Sequence, residues 1–146
     1  MSNPSISGPG DGFFGQKTWD ERMSCAAAFS KGQVVQVDES TIDATTKAQT
    51  HVEAIDATGI EHGTLCVLLE DIAAGGSGLC RFRGRVHALH SGATAVGVLL
   101  GVTTAEVFAA APAAGKVVGK TLETGSTTVP TLIDFDGVNG FGNNVS

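Results

Sequence analysis

The sequence contains no tyrosine, one tryptophan and two methionines among its 146 residues. Charged residues make up only 16% of the chain, which is below the content typical of a disordered protein. No apolar run approaches the ~20 residues that a membrane-spanning helix needs, and the N-terminus lacks the charged and apolar segments of a signal peptide. We therefore expect one globular domain without a secretion signal or a membrane anchor.

Basic residues are also scarce. Nine Lys and Arg stand against fifteen Asp and Glu, so the formal net charge is -6 and the pI is near 5.0. Non-specific binding to nucleic acid depends on many Lys and Arg contacts with phosphates. This balance argues against a nucleic-acid partner.

Cysteine is limited to Cys25, Cys66 and Cys80, an odd number at wide spacing. Such a set does not make a disulfide framework, and we predict that the three side chains are buried as small hydrophobes. Cys80 with His87 and His90 lacks the paired ligand spacing of a zinc site. No metal or other cofactor is predicted.

Glycine is abundant, with 20 residues, and it separates short apolar runs. Many short strands at close spacing are typical of a mainly β fold, here a compact β-barrel or β-sandwich. The predicted strands cover residues 33–38, 65–69, 79–89, 96–102, 117–122 and 129–135, with a weaker one at 51–55 and a polar loop or edge ribbon at 39–50.

Two short segments favour helix. Thr18 to Glu21 fits the capping-box pattern, which predicts a helix over residues 19–29. The alanine-rich residues 104–111 favour a second helix, which Pro112 would end. A strand is the competing prediction for this segment. The predicted organisation is an N-terminal arm with a short helix at residues 1–30, a β domain at 31–138 and a C-terminal tail at 139–146.

An internal repeat becomes visible when Leu69-Glu70 is placed over Leu122-Glu123. Each copy then predicts a strand that ends in Leu-Glu, a turn of small residues and a second strand with apolar residues at one parity and charges at the other. The further matches need no gap: Leu79 on Leu132, Cys80 on Ile133, Phe82 on Phe135 and Gly84 on Gly137.

Charges of opposite sign occupy equivalent positions of this repeat. Arg81 and Arg83 correspond to Asp134 and Asp136, and such charges can pair across a sheet or between copies of the protein. The plain interpretation is the solvated face of half-buried strands; the functional one is a protein contact, since Arg is enriched at interfaces. The candidate contact residues, with the aromatic side chains of the arm, are Phe13, Phe14, Trp19, Arg81, Arg83, Arg85, Asp134 and Asp136. The alternative for Trp19 is docking on the protein's own core.

Signatures of catalysis are missing from the sequence. There is no Gly-x-Ser-x-Gly elbow, and Gly119-Lys120-Thr121 lacks the upstream glycine of a phosphate-binding loop. The acidic pair Glu70-Asp71 is as typical of a strand end as of an acid/base site. Asp134, Asp136 and Asn139 lack the full pattern of a calcium loop. We predict no catalytic residues, no metal ligands and no enzymatic activity.

Three pieces of the chain resemble the small capsid decoration, or cement, proteins of tailed bacteriophages. They are VLLEDIAAGGSGLCRFRGRV (67–86), VGVLLGV (96–102) and AGKVVGKTLETGSTTVPTLIDFDGV (114–138). The resemblance covers about residues 31–138. It implies a compact β domain that binds the outside of an icosahedral shell, usually as a trimer or dimer that bridges major capsid subunits, without enzymatic activity.

We therefore expect a structural virion protein that is made in the host cytoplasm and lies on the outer capsid surface. Its expected partners are the major capsid protein and itself, without nucleic acid or membrane. The alternatives are a phage tail, fibre or baseplate component and, from another class, a small hydrolase or metal-dependent enzyme. A carbohydrate-binding module is disfavoured by the lack of tyrosine and the single tryptophan.

Overall fold

The computed structural model describes residues 18–55, 63–92, 94–126 and 129–144, and within them the chain forms nine β-strands and no helix. One sheet has the order β1-β3-β2-β4-β5-β9-β8-β6-β7, and β1 also pairs with β5. The predicted mainly β fold is confirmed. No helix of the described part of the chain has the length and apolar character to cross a membrane. The strands are β1 (Trp19–Cys25), β2 (Val34–Val37), β3 (His51–Glu53), β4 (Leu65–Leu68), β5 (Ser77–Ala88), β6 (Leu99–Val102), β7 (Phe108–Ala110), β8 (Gly119–Thr121) and β9 (Thr131–Asp136).

The pairing of β1 with β5 closes five strands, β1-β3-β2-β4-β5, into a barrel. β1 runs parallel to β3, and the other neighbours in this barrel are antiparallel. All three cysteines are free and buried in its interior, as predicted. The interior is filled by Met23, Cys25, Phe29, Val35, Val37, Val52, Cys66, Leu68, Ile72, Cys80 and Phe82.

The helix predicted over residues 19–29 is wrong, because Trp19–Cys25 is strand β1. Its backbone pairs with β5 from Asp20, opposite Arg81, to Ser24, opposite Ser77. A capping box contributes only about 1 kcal/mol, whereas β1 supplies a whole strand ladder and buries Met23 in the core. Tertiary pairing therefore overrides the local helix signal. The division of the chain at residues 30 and 138 stays a prediction.

The competing helix over residues 104–111 is also wrong. Thr103 and Val107 are joined by a backbone hydrogen bond of 3.0 Å, and Glu106 between them has a φ of 58°. This left-handed residue reverses the chain, so that β7 pairs antiparallel with β6. Phe108, on β7, is fully buried, and its burial gives the segment a strand geometry that its alanines would not select.

The predicted repeat is confirmed at the level of single hydrogen bonds. Leu79 N donates to Glu70 Oε2 and Leu132 N donates to Glu123 Oε1, both over 2.9 Å. Each of these leucines also accepts a backbone bond from the leucine before the glutamate, at 3.0 and 2.9 Å. The strand order β3-β2-β4-β5 of the first copy recurs as β7-β6-β8-β9 in the second. The fold is therefore a tandem duplication.

Strand β5 belongs to both copies, which explains its twelve residues. Its first half pairs with β1 and β4, and its second half pairs with β9 over Arg83–Ala88. Its continuation reaches β7 through a parallel bridge between His90 and Phe108, as β1 reaches β3. We call β1 to β4 with the first half of β5 the first barrel, and the second half of β5 with β6 to β9 the second barrel.

The two halves of β5 meet at Gly84. Its φ of 117° is a conformation that residues with a Cβ rarely adopt. A Cβ at this position would lie 3.0 Å from Thr18 Oγ1 and 3.2 Å from Thr18 Cα. Glycine therefore lets the strand pass from one barrel to the other directly beneath Thr18.

Strands β2 and β4 are buried at every position, because both of their faces are covered. One face lines the first barrel, and the other packs Val34, Leu65 and Val67 against the core of the second barrel. A strand buried on both faces appears in sequence as a continuous apolar run. In the second core the rings of Phe108 and Phe135 pack edge to face, 5.6 Å apart.

Candidate interaction surface

The three arginines of β5 all lie on its outer face. Arg81 and Arg83 are half-buried and Arg85 is exposed, whereas the alternate residues Phe82 and Gly84 are buried. The period of two, read from the sequence, predicted this arrangement. The arginines thus run along the outside of the strand that both barrels share.

Arg81 is paired within the chain. Its Nε and Nη2 donate to the two carboxylate oxygens of Asp20 at 2.8 and 3.0 Å, and its Nη1 donates to Arg85 O at 2.7 Å. The fork geometry of the guanidinium favours such a bidentate pair. Asp20 was absent from the predicted set; it lies opposite Arg81 only because residues 19–25 form a strand.

Arg83 is paired across the junction of the barrels. Its Nε lies 3.3 Å from Asp136 Oδ2, as an ion pair without an aligned hydrogen bond. Asp136 also accepts hydrogen bonds at Oδ1 from Val138 N at 3.0 Å and from Asn139 N at 2.9 Å. Its carboxylate therefore serves the turn after β9 as well as the ion pair.

Arg85, Asp134 and Lys120 lie side by side on three neighbouring strands. Among the described residues, neither cation forms an ion pair within 4 Å; the two pairs found there are those of Arg81 and Arg83. In the duplication, Arg85 and Asp134 occupy the positions of Asp20 and Arg81, with the signs exchanged. The cations of this row on the second barrel thus differ from Arg81 and Arg83, which are paired within the chain.

Trp19 is the first residue of β1 in the first barrel. Its side chain is 41% exposed, and its ring packs against Phe82 with a centroid separation of 5.6 Å. The indole Nε1 donates to Glu21 Oε2 at 2.7 Å. Trp19 therefore both covers the core and presents an aromatic face to solvent. Phe13 and Phe14 lie outside the described residues.

The carboxylates of the acidic pair Glu70-Asp71 accept hydrogen bonds from backbone N–H groups. Glu70 accepts from Leu79 N, as described above, and Asp71 Oδ1 accepts from Lys31 N at 2.8 Å. Gly119-Lys120-Thr121, the weak phosphate-loop match, is strand β8. These residues therefore have structural contacts that account for them.

The described residues contain no group of three or more His, Cys, Asp or Glu side chains placed to hold a metal ion. His87 points outward from β5 and His90 is buried, while Cys80 lies in the first barrel. Burial raises the pKa of the Cys66 thiol well above its ordinary value, with a further contribution from the neighbouring Cys80. A thiol in that state is a poor nucleophile.

Comparison with known proteins finds a likeness of fold but no match of sequence. No protein-family model and no curated protein matches the chain. Its fold is similar to that of a solved structure described as the head fiber gp8.5 N base in bacteriophage phi29, with a TM-score of 0.58 and 11% sequence identity. The match covers 80% of this chain and 93% of that chain. The two chains therefore share a fold.

Proposed function

We propose that this chain is a structural protein of a bacteriophage virion that binds the outer surface of the icosahedral capsid and stabilises contacts between major capsid subunits. The observation that carries the proposal is the likeness of the fold to a phage head fiber base over 93% of that chain. Two of the three sequence pieces that resemble cement proteins, residues 67–86 and 114–138, lie on equivalent strands of the two barrels, β4 with β5 and β8 with β9, and the third, residues 96–102, contains β6. The likeness of the fold and the resemblance read from the sequence thus support the same class of protein.

The proposed role requires binding surfaces rather than reacting groups. The polar pairs of the described residues hold turns and strands together, as Glu70 and Glu123 do at equivalent positions. We therefore infer a non-enzymatic protein. Self-association as a trimer or dimer would add avidity, because several modest contacts on one shell act together.

We place the capsid contact on the row formed by Arg85, Asp134 and Lys120. Arg85 and Lys120 are exposed and free of ion pairs among the described residues, whereas the charges of Arg81 and Arg83 are compensated within the chain. Charged groups at an interface set its register and its rate of association. Trp19 is the second candidate contact, as an exposed aromatic anchor.

The test is to mix purified protein with undecorated phage capsids and to image the particles by cryo-electron microscopy. We expect ordered density at symmetry-related positions on the outer surface. Arg85→Glu should lower its occupancy, whereas Lys116→Glu, the same charge change at another exposed site of the second barrel, should leave it unchanged. Bare shells at saturating protein would overturn the proposal, and equal occupancy for both variants would move the contact elsewhere.

A second candidate function is the base of a virion fibre. It is favoured by the description of the similar structure as the base of a head fiber. The same images distinguish the two functions, because a cement protein lies flat across neighbouring capsid subunits whereas a fibre base carries further protein away from the shell. Density that projects from the bound barrels in virions would select the fibre base.

A further inference from the structure

The two barrels differ at one end, which we call the base. In the first barrel, Phe29 and Ile72 form an isolated antiparallel bridge, and both side chains are buried. In the second barrel the equivalent bridge joins Thr94 and Gly125. Both bridges exchange two backbone hydrogen bonds, at 2.9 Å in the first barrel and at 3.1 and 3.2 Å in the second. The backbone is therefore repeated, while the apolar side chains are not.

At the base, the side chain that fills the interior comes from a different position in each barrel. In the first, a Cβ on Gly78 would lie 2.8 Å from Ile72 Cγ1, so a glycine makes room for the isoleucine. In the second, Thr131 takes the position of Gly78, and a Cβ on Gly125 would overlap with Thr131 Oγ1. Gly125 thus stands at the position of Ile72, and Thr131 at the position of Gly78. The apolar side chain that fills the first barrel here is replaced in the second by the hydroxyl group of Thr131.

A buried imidazole accompanies this hydroxyl group. His90 is 3% exposed, occupies the position that Cys25 has in the first barrel, and shares a 2.7 Å hydrogen bond between its Nε2 and Thr131 Oγ1. Its Nδ1 and the Oγ1 of Thr94 are both buried, and neither has a hydrogen-bond partner among the described residues. Buried polar atoms in proteins are nearly always hydrogen-bonded. Two such atoms at one end of one barrel require a shared explanation.

We propose that the base of the second barrel is a binding site for one water molecule that bridges His90 Nδ1 and Thr94 Oγ1. Thr94 lies directly opposite Gly125, and the imidazole Nε2 would be only 2.7 Å from a Cβ on Gly125, so His90 and Thr94 are both neighbours of this glycine. A neutral imidazole has one donor and one acceptor nitrogen. Water can donate or accept, so it satisfies Nδ1 in either tautomer.

An open cavity of about 340 Å³ lies beside the site, and Gly125 and Thr131 form part of its wall. Thr131 contacts the imidazole through the 2.7 Å hydrogen bond between its Oγ1 and His90 Nε2. Buried waters typically make two to four hydrogen bonds to protein groups. The remaining lining residues are Glu123, Thr124, Ser126, Val129 and Pro130.

The substitution Thr94→Val tests the site through the sign of its effect, because valine has the shape of threonine without the hydroxyl. A hydroxyl bonded to water stabilises the fold, so the melting temperature should fall. Thr121→Val is the matched control: Thr121 Oγ1 donates to Ala95 O at 2.6 Å and accepts from Val98 N at 2.8 Å, so its loss must lower the melting temperature. A melting temperature for Thr94→Val that is unchanged or raised would overturn the proposal, because removal of an unpaired buried hydroxyl is neutral or stabilising.

A high-resolution crystal structure of the unmodified protein gives an independent test. We expect a density peak within about 3.2 Å of both His90 Nδ1 and Thr94 Oγ1, the outer range of a good hydrogen bond. An ordered His90 ring without such a peak would contradict the site. Neither test depends on the capsid-binding proposal, so the two can fail separately.

Discussion

Replacement of Asp136 tests how the chain holds its two barrels together at their shared strand. The residue is 9% exposed, and its carboxylate has two separate contacts: Oδ2 faces Arg83 across the junction, and Oδ1 accepts from two backbone N–H groups of the following turn. Asparagine keeps an oxygen for the turn and loses the charge. Alanine loses both contacts. The two variants therefore separate the ion pair from the turn.

The sizes of the effects follow from burial. Exposed ion pairs contribute about 0 to 1 kcal/mol, and loss of one partner of a buried pair costs about 3 to 5 kcal/mol. The side chains of Arg83 and Asp136 are 29% and 13% exposed, so this pair lies between those limits. We expect Asp136→Asn to lower the free energy of unfolding by about 1 to 2 kcal/mol. Asp136→Ala should lower it by about 4 to 5 kcal/mol, because it also removes the two hydrogen bonds of the turn, and hydrogen bonds to a charged group contribute about 1.5 kcal/mol each.

Urea denaturation followed by the fluorescence of Trp19 and by circular dichroism measures these free energies. Asp20→Asn is the control, because the carboxylate of the Arg81 pair is more exposed, at 30% against 13% for Asp136, and its loss should cost no more than about 1 kcal/mol. Equal losses for Asp136→Asn and Asp136→Ala would refute the role of the turn. A loss below about 0.5 kcal/mol for Asp136→Ala would refute the reasoning as a whole.

Two further predictions concern the strand junction and the first core. Gly84→Ala should lower the free energy of unfolding by about 2 kcal/mol, because φ is positive there and the added Cβ would press on Thr18. Gly75→Ala is the control and should lower it by only about 1 kcal/mol, because φ is also positive but no atom lies within 4 Å of an added Cβ. Equal losses in thermal melts would exclude the Thr18 contact. Because burial raises the pKa of the Cys66 thiol, the folded state should lose stability as the pH rises past about 8.5, where the unfolded thiol ionises. Mass spectrometry after brief alkylation of the folded protein at pH 8 should find Cys66 unmodified, and rapid modification there would contradict its burial.

The sequence predicted the strands whose pattern is set by their own faces. In β5, apolar residues and arginines alternate over the length of the strand, and the observed burial follows the same alternation. The repeat of Leu69-Glu70 at Leu122-Glu123 was readable because both glutamates accept the same hydrogen bond from the backbone of the following strand. A short-range hydrogen bond that occurs in both copies is therefore visible in the sequence as a repeated motif.

Strand β1 has no repeated motif of this kind in the sequence. Trp19–Cys25 and its structural equivalent at residues 84–90 share no residue type at any position, and the capping pattern at Thr18 pointed to a helix. The geometry of β1 comes from its partners β3 and β5, which are distant in sequence. Pairing of this kind depends on the tertiary context rather than on intrinsic preference.

The charged positions on the outer faces of β5 and β9 were readable from the sequence, but their ion pairs were not. The opposite charges at Arg83 and Asp136 were visible as a match in the repeat, and they do pair. Whether such charges bind one another or a second molecule depends on strand neighbours, and Asp20, the partner of Arg81, could not be found without them. The polar base around His90 was missed for the same reason, since His90 and Thr131 are 41 residues apart.

The sharing of β5 has a mechanical consequence. Tandem domains joined by a linker bend and detach one at a time, because the linker yields before either domain. Here the second barrel begins within the wall of the first, and the two are joined over Arg83–Ala88 by a ladder to β9. A pull on one barrel is therefore transmitted along β5 to the ladders that hold this strand in both barrels, as shear on several hydrogen bonds at once.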